Sequence, residues 1–199
     1  MIASLNEIRA MAIKAARGAG LSWGLAEEAG HATRWLMAHG APGVDLLAGV
    51  LDRHDGAALP MPEWEGGSWR VAADLHCPLL LGVCLADDRA ATRLPLTCGP
   101  VAAPVFLAPF LAPLGCRMVG PGLECAVSPL GLAFGNCPDA VATLTLSDGC
   151  PDFTCATHHA RDVSGAAWDR LAALAHRTYA PATEASRQAG AGAGQSDND

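Results

Sequence analysis

Arg117–Phe134 reads RMVGPGLECAVSPLGLAF, three short apolar runs separated by Gly120-Pro121-Gly122 and by Pro129. The runs are Arg117–Val119, Leu123–Val127 and Leu130–Phe134, each of strand length and each bounded by turn residues. The gaps between them are too short for repeated helical crossovers, so the strands they predict are antiparallel or mixed. Working outward, apolar runs at Trp69–Ala72, Leu79–Ala86, Val101–Leu107 and Val141–Leu146 continue the pattern. From Leu94 to Ser147 the only charged residues are Arg117, Glu124 and Asp139. This middle section reads as a buried β body.

The flanks are of a different kind. Ser4-Leu5-Asn6-Glu7 is a capping box, and Leu5, Ile8, Met11, Ala12 and Ala15 follow at helical spacing. Gly18 and Gly20 are expected to end that helix in left-handed conformations. Ser22 caps a second helix over Trp23 to Ala38, stopped by Gly40 and Pro42, and Val44 to Leu51 forms a short third one. His54 to Gly67 is a loop by its Gly and Pro content. Ser164 caps a last helix carrying Trp168, Leu171, Leu174 and Ala175, which runs to about Tyr179. Helices, sheet, helix and tail make the class α+β. The length of 199 residues predicts one domain over residues 1–187, with a Gly/Ala-rich tail over 188–199.

Composition narrows the function. With 51% hydrophobic and 17% charged residues, the chain has ample apolar surface to offset chain entropy, which excludes a wholly disordered protein. A formal charge of −7 opposes a polyanionic partner, so nucleic acid is not expected. Lys14 is the only lysine, against twelve arginines. Glu7, Arg9, Lys14 and Arg17 interrupt any apolar export signal at the start. Leu94 to Cys116 is long enough to span a bilayer and carries no charge, but Pro95, Pro100, Pro104, Pro109 and Pro113 each remove a backbone donor that lipid cannot replace. Buried extended chain is the better reading, and a soluble, cytoplasmic protein without membrane contact is expected.

Several short motifs touch on chemistry. Gly20-Leu21-Ser22-Trp23-Gly24 matches the nucleophile-elbow pattern, but that chemistry needs a strand before the serine and a helix precedes this one. Ser22 as a helix cap explains the residue. Glu28-Ala29-Gly30-His31 is half of a di-iron motif without its second copy. Cys150, Cys155, His158 and His159 supply zinc-type donors, but their spacing fits no common zinc fold, and packing is the simpler role. No metal is assigned, and the absence of Walker or dinucleotide fingerprints leaves any cofactor unidentified. Trp23, Glu27, His31 and Arg34 share one stripe of the second helix, and Gly24 and Gly30 sit mid-helix, where glycine permits close approach by another element or a ligand.

SLNEIRAMAIKAARGAGLSWGLAEEAGHATRWL (Ser4–Leu36) and RTYAPATEASRQAGAGAGQSDND (Arg177–Asp199) together resemble a bacterial family known only as a domain of unknown function. The resemblance implies no reaction. It does imply that the tail belongs to the family's pattern.

The leading expectation is a protein that binds, and transforms if chemistry occurs, a small polar or anionic metabolite where the second helix meets the C-terminal segment. Glu27, Glu28 and His31 are the acid–base candidates. Arg17, Arg34 and Arg187 are expected to hold an anionic group, Trp23 and Tyr179 to wall the pocket, and Thr183, Glu184 and Ser186 to contribute polar contacts. The alternative is a non-catalytic subunit that packs against a partner enzyme or against itself as a homo-oligomer.

Overall fold

A computed structural model describes residues 1–88, 92–149 and 159–179. Strand β1 (Ile2–Ser4) runs straight into helix α1 (Leu5–Gly18), and the capping box closes reciprocally. Glu7 N–H donates to Ser4 Oγ at 3.2 Å, and Ser4 N–H donates to Glu7 Oε2 at 2.8 Å. Helix α2 (Trp23–Ala38) starts at Ser22 as its spacing predicts, with Leu25 N–H donating to Ser22 Oγ at 3.4 Å. Helix α3 (Gly43–His54) is longer at both ends than the predicted Val44–Leu51.

The predicted loop from His54 to Gly67 contains a strand. β2 (Glu63–Glu65) and β3 (Ser68–Arg70) form an antiparallel hairpin. Gly66 and Gly67 form its two-residue turn with φ of +60° and +84°, the backbone geometry that matches strand twist and suits glycine. The run Leu79–Ala86 is a correction of kind: it is helix α4 (Pro78–Asp87), not a strand. Pro78, Leu79, Leu80, Leu81, Gly82 and Leu85 are all buried, so the segment shows no amphipathic period from which to tell helix from strand. Pro78 fits the first helical turn, where its missing N–H costs nothing.

Helix α4 also serves as a crossover. It joins β3 to β4 (Leu96–Cys98), and these two strands pair in parallel, Ser68 with Thr97 and Trp69 with Cys98. Of the run Val101–Leu107, only β5 (Val101–Ala102) is a strand; Pro104–Leu107 is a 3₁₀ turn, followed by α5 (Ala108–Leu111) and a second 3₁₀ turn over Ala112–Leu114. The Pro-rich segment is therefore buried as expected, but in short helical turns opened by Pro104, Pro109 and Pro113 rather than in extended chain throughout. No helix among the described residues is long and apolar enough to cross a membrane.

Arg117–Phe134 folds into the three strands that its turn residues predict. β6 (Cys116–Gly120), β7 (Leu123–Ser128) and β8 (Gly131–Phe134) pair antiparallel in sequence order. β9 (Ala140–Val141) pairs with β5, and β10 (Leu144–Ser147) inserts between β4 and β6. The resulting seven-stranded sheet has the order β2-β3-β4-β10-β6-β7-β8 and is antiparallel except at β3–β4. β11 (Ala160–Asp162) pairs with β1, Ile2 opposite Asp162, and leads to helix α6 (Gly165–His176), capped by Ser164. The class is α+β.

One buried apolar cluster joins Ile8 of α1, Leu36 of α2, Leu47 and Leu51 of α3, Leu79 and Leu81 of α4, Phe106, Met118 and Leu144. The β1–β11 pairing sets α6 beside α1, and glycine makes the contact close. A Cβ on Gly18 would lie 1.8 Å from the carbonyl oxygen of Leu174. Gly18 therefore serves helix packing rather than the left-handed ending predicted for it; Gly20, with φ of +97°, provides that. Of the two mid-helix glycines, Gly30 lies against Ile13 and the Arg9 carbonyl, whereas Gly24 faces open space.

Candidate functional site

The close approach of α6 to α1 brings remote parts of the chain together. Residues Ile13, Lys14, Arg17 and Gly18 of α1, Trp23 at the first turn of α2, and Arg177, Thr178 and Tyr179 after α6 line one recess of about 530 Å³. Among the described residues three cationic side chains and no acidic one reach its wall, in a chain of net charge −7. Lys14 and Arg17 lie on one face of α1 because residues three apart are helical neighbours.

Each wall residue has a local physical reason for its place. The Arg17 guanidinium lies over the Trp23 ring, 4.6 Å from its centroid, and donates to the Leu21 carbonyl in the connection that precedes α2. Lys14 Nζ lies 5.6 Å from the centroid of Tyr179, whose ring also meets that of His176 edge-on at 5.6 Å. Both pairs draw on the attraction of a cation to a π face. Arg177 is oriented by α3: its guanidinium donates two bonds to Asp55, and Asp55 also pairs with Arg170. Arg177 beside Asp55 holds that carboxyl below the usual carboxylate range.

Of the residues singled out in the sequence, Arg17, Trp23 and Tyr179 meet in the recess. Glu27, Glu28, His31 and Arg34 are exposed along α2 and do not line it. The stripe is a line rather than a cluster: the helical rise sets Arg34 about 16 Å from Trp23 along the axis. His31 Nε2 accepts from Arg9 at 3.2 Å. Arginine has no acceptor, so that nitrogen is unprotonated and a neutral His31 carries its proton on Nδ1. Thr183, Glu184, Ser186 and Arg187 lie outside the described residues, as do the tail over 188–199 and Cys150, Cys155 and His158. His159 is exposed, and its carbonyl accepts from Leu5 N–H at 3.0 Å. Among the described residues no group of three His, Cys, Asp or Glu side chains is placed to hold a metal ion.

Sequence reasoning missed Lys14 and Arg177 as wall residues. The signal for Lys14 was its spacing of three from Arg17; Arg177 had none beyond its nearness to Tyr179. A second cleft of about 320 Å³ was also missed, lined by Arg53, His54, Asp74, Leu59, Val71 and Cys77 among others. His54 ends α3 there, and its burial, with Arg53 adjacent, lowers its pKa. Burial raises the pKa of the Cys77 thiol, which opposes thiolate chemistry in this cleft.

Residues 3–61 match the family model of a protein of unknown function, DUF3726. The kinship expected from the N-terminal motif is thus found. The DUF3726 segment covers α1, α2 and α3 and supplies Lys14, Arg17 and Trp23 to the recess; Arg177, Thr178 and Tyr179 come from beyond it. No curated protein and no solved structure matches the chain.

Proposed function

We propose that this bacterial, cytoplasmic protein binds a small anionic metabolite in the recess between α1, the start of α2 and the end of α6. The observation that carries the reading is the convergence of Lys14 and Arg17, beside Arg177, on one concave wall to which no acidic side chain among the described residues contributes. The volume of about 530 Å³ suits a small molecule. Cations grouped in a recess raise the local concentration of anions even on an acidic protein. Thr183, Glu184, Ser186 and Arg187 follow within eight residues of Tyr179, which keeps them in the proposal as further ligand contacts. If the bound molecule is also transformed, Glu27 is the nearest of the acid–base candidates, one helical turn or about 6 Å along the axis from Trp23. The free thiols of Cys77, Cys84, Cys98 and Cys137 suit a reducing compartment.

Thermal stabilisation by inorganic phosphate and by small carboxylates tests the reading. Stabilisation of the wild type that is lost in Lys14→Met and weakened in Arg17→Lys is expected. Equal stabilisation of wild type and Lys14→Met overturns the assignment.

The subunit reading draws on a different place. β2 is an edge strand whose Trp64 is exposed close to the exposed Met61 in sequence. Glu63 and Glu65 on the same strand oppose edge-to-edge pairing, so the small-molecule reading is preferred. Light scattering separates the two: a monomer is expected, and a stable dimer disrupted by Trp64→Ser favours the subunit.

A further inference from the structure

Resting on the anion-binding reading, we infer that the ligand of this recess is aromatic, a planar ring carrying a carboxylate or phosphate, held by stacking on Trp23 or Tyr179. Large aromatic side chains are usually covered, because each has 150–250 Å² to bury. Among the described residues only Trp23, Trp64 and Tyr179 are aromatic and exposed, and two of these three line this one recess at 67% and 55% exposure. They reach it from opposite parts of the chain, which makes their meeting a product of the fold rather than of local sequence.

Each ring comes with a cation. Arg17 lies over the Trp23 ring, 4.6 Å from its centroid, and Lys14 over the Tyr179 ring at 5.6 Å, so each ring carries a positive charge above one face. A ligand ring lying against the opposite face of either aromatic, with its charged substituent turned past the ring edge toward Arg17 or Lys14, uses both features in one molecule. An aliphatic anion uses the cations but leaves the aromatic surface with no partner of matching shape. Arg177 has both terminal nitrogens engaged by Asp55, whose carboxylate offsets its charge, so it shapes the wall rather than offering a free fork. This leaves Lys14 and Arg17 as the groups that meet the ligand's charge.

Benzoate and cyclohexanecarboxylate provide the comparison, since they share charge and approximate size and differ in aromaticity. Calorimetric titration of the full chain is expected to show benzoate binding roughly two- to tenfold tighter, the range that an aromatic pair contributes. The preference is expected to disappear in a Trp23→Leu, Tyr179→Leu double variant and to survive in Trp23→Phe. Both positions are exposed, so the substitutions spare the core. Equal binding of the two acids to the wild type overturns the aromatic inference and leaves the anion site standing. Retention of the preference in the double variant overturns it as well, because the stacking partner is then elsewhere. Failure of both acids and of inorganic phosphate to bind overturns the anion site itself, and the inference with it.

Discussion

Asp55, one residue past α3, holds Arg177, one residue past α6, through two parallel bonds of 2.5 and 2.9 Å. The pair ties the ends of two helices that are more than a hundred residues apart in sequence. It also fixes one wall of the recess, since Arg177 lines it and Tyr179 follows two residues later. Arg170 joins the same carboxylate at 3.4 Å and also pairs with Asp52, so Asp55 belongs to a small charged network on one side of α6.

Asp55→Asn is expected to lower the melting temperature, because Arg177 loses its charged anchor. Its acid dependence has a definite sign. The carboxyl of Asp55 titrates lower in the folded chain than its ordinary 3.8, so its contribution is present above that value and is lost as pH falls through the depressed one. Thermal melts of wild type and variant are expected to converge at the acid end and to separate toward neutrality. Parallel curves at all pH values would refute the anchor.

Gly18→Ala is expected to destabilise by roughly 1–3 kcal/mol or more, because the new methyl meets the Leu174 carbonyl and α6 must move off α1. Gly24→Ala meets nothing and is expected to change stability by less than about 1 kcal/mol, on the stabilising side. Denaturant melts of the two variants read the difference directly. A neutral Gly18→Ala would mean that the two helices are not in contact there.

His76 is 1% exposed. Its Nε2 donates to the Trp69 carbonyl at 3.1 Å, and its Nδ1 is buried without a partner. Burial lowers its pKa from 6.5, so the unfolded chain takes up the proton first. Stability is therefore complete above about pH 6.5 and falls as the medium is acidified toward the folded value. His54 shifts in the same direction. His76→Gln keeps a donor for Trp69 but does not titrate. It is expected to flatten the decline in melting temperature between pH 6.5 and 5, and an unchanged slope would assign the decline to other groups.

Lys14, as the only lysine, gives the recess a chemical handle. Acetylation of its side chain is expected to abolish stabilisation by small anions, and a bound anion is expected to slow that acetylation. Peptide mapping after brief labelling, with and without phosphate, measures the protection. Labelling at the same rate in both conditions would place the anion elsewhere.

The helix starts were legible because each is written in three or four neighbouring residues. Ser4 with Glu7, Ser22, and Ser164 mark α1, α2 and α6 before any tertiary contact exists. The β6–β8 meander was legible for the same reason, since Gly120-Pro121-Gly122 and Pro129 separate runs too short to be anything else. Part of the recess was also visible in the sequence: Arg17, Trp23 and Tyr179 stood out as charged or aromatic residues near the two ends of the chain.

What only the tertiary structure decided lies where local signals are uniform or partners are remote. Leu79–Leu85 is apolar on every side, so neither helical nor strand period shows in it, and it is packed as α4 against α2, α5 and the 3₁₀ turn over Pro104–Leu107. The parallel pairing of β3 with β4 followed from that, because the helix supplied the crossover. The meeting of Lys14, Arg17 and Trp23 with Arg177 and Tyr179 depends on how closely α6 approaches α1. That distance is set by a missing methyl at Gly18 against a backbone oxygen of Leu174, a steric fact between residues that no local pattern connects.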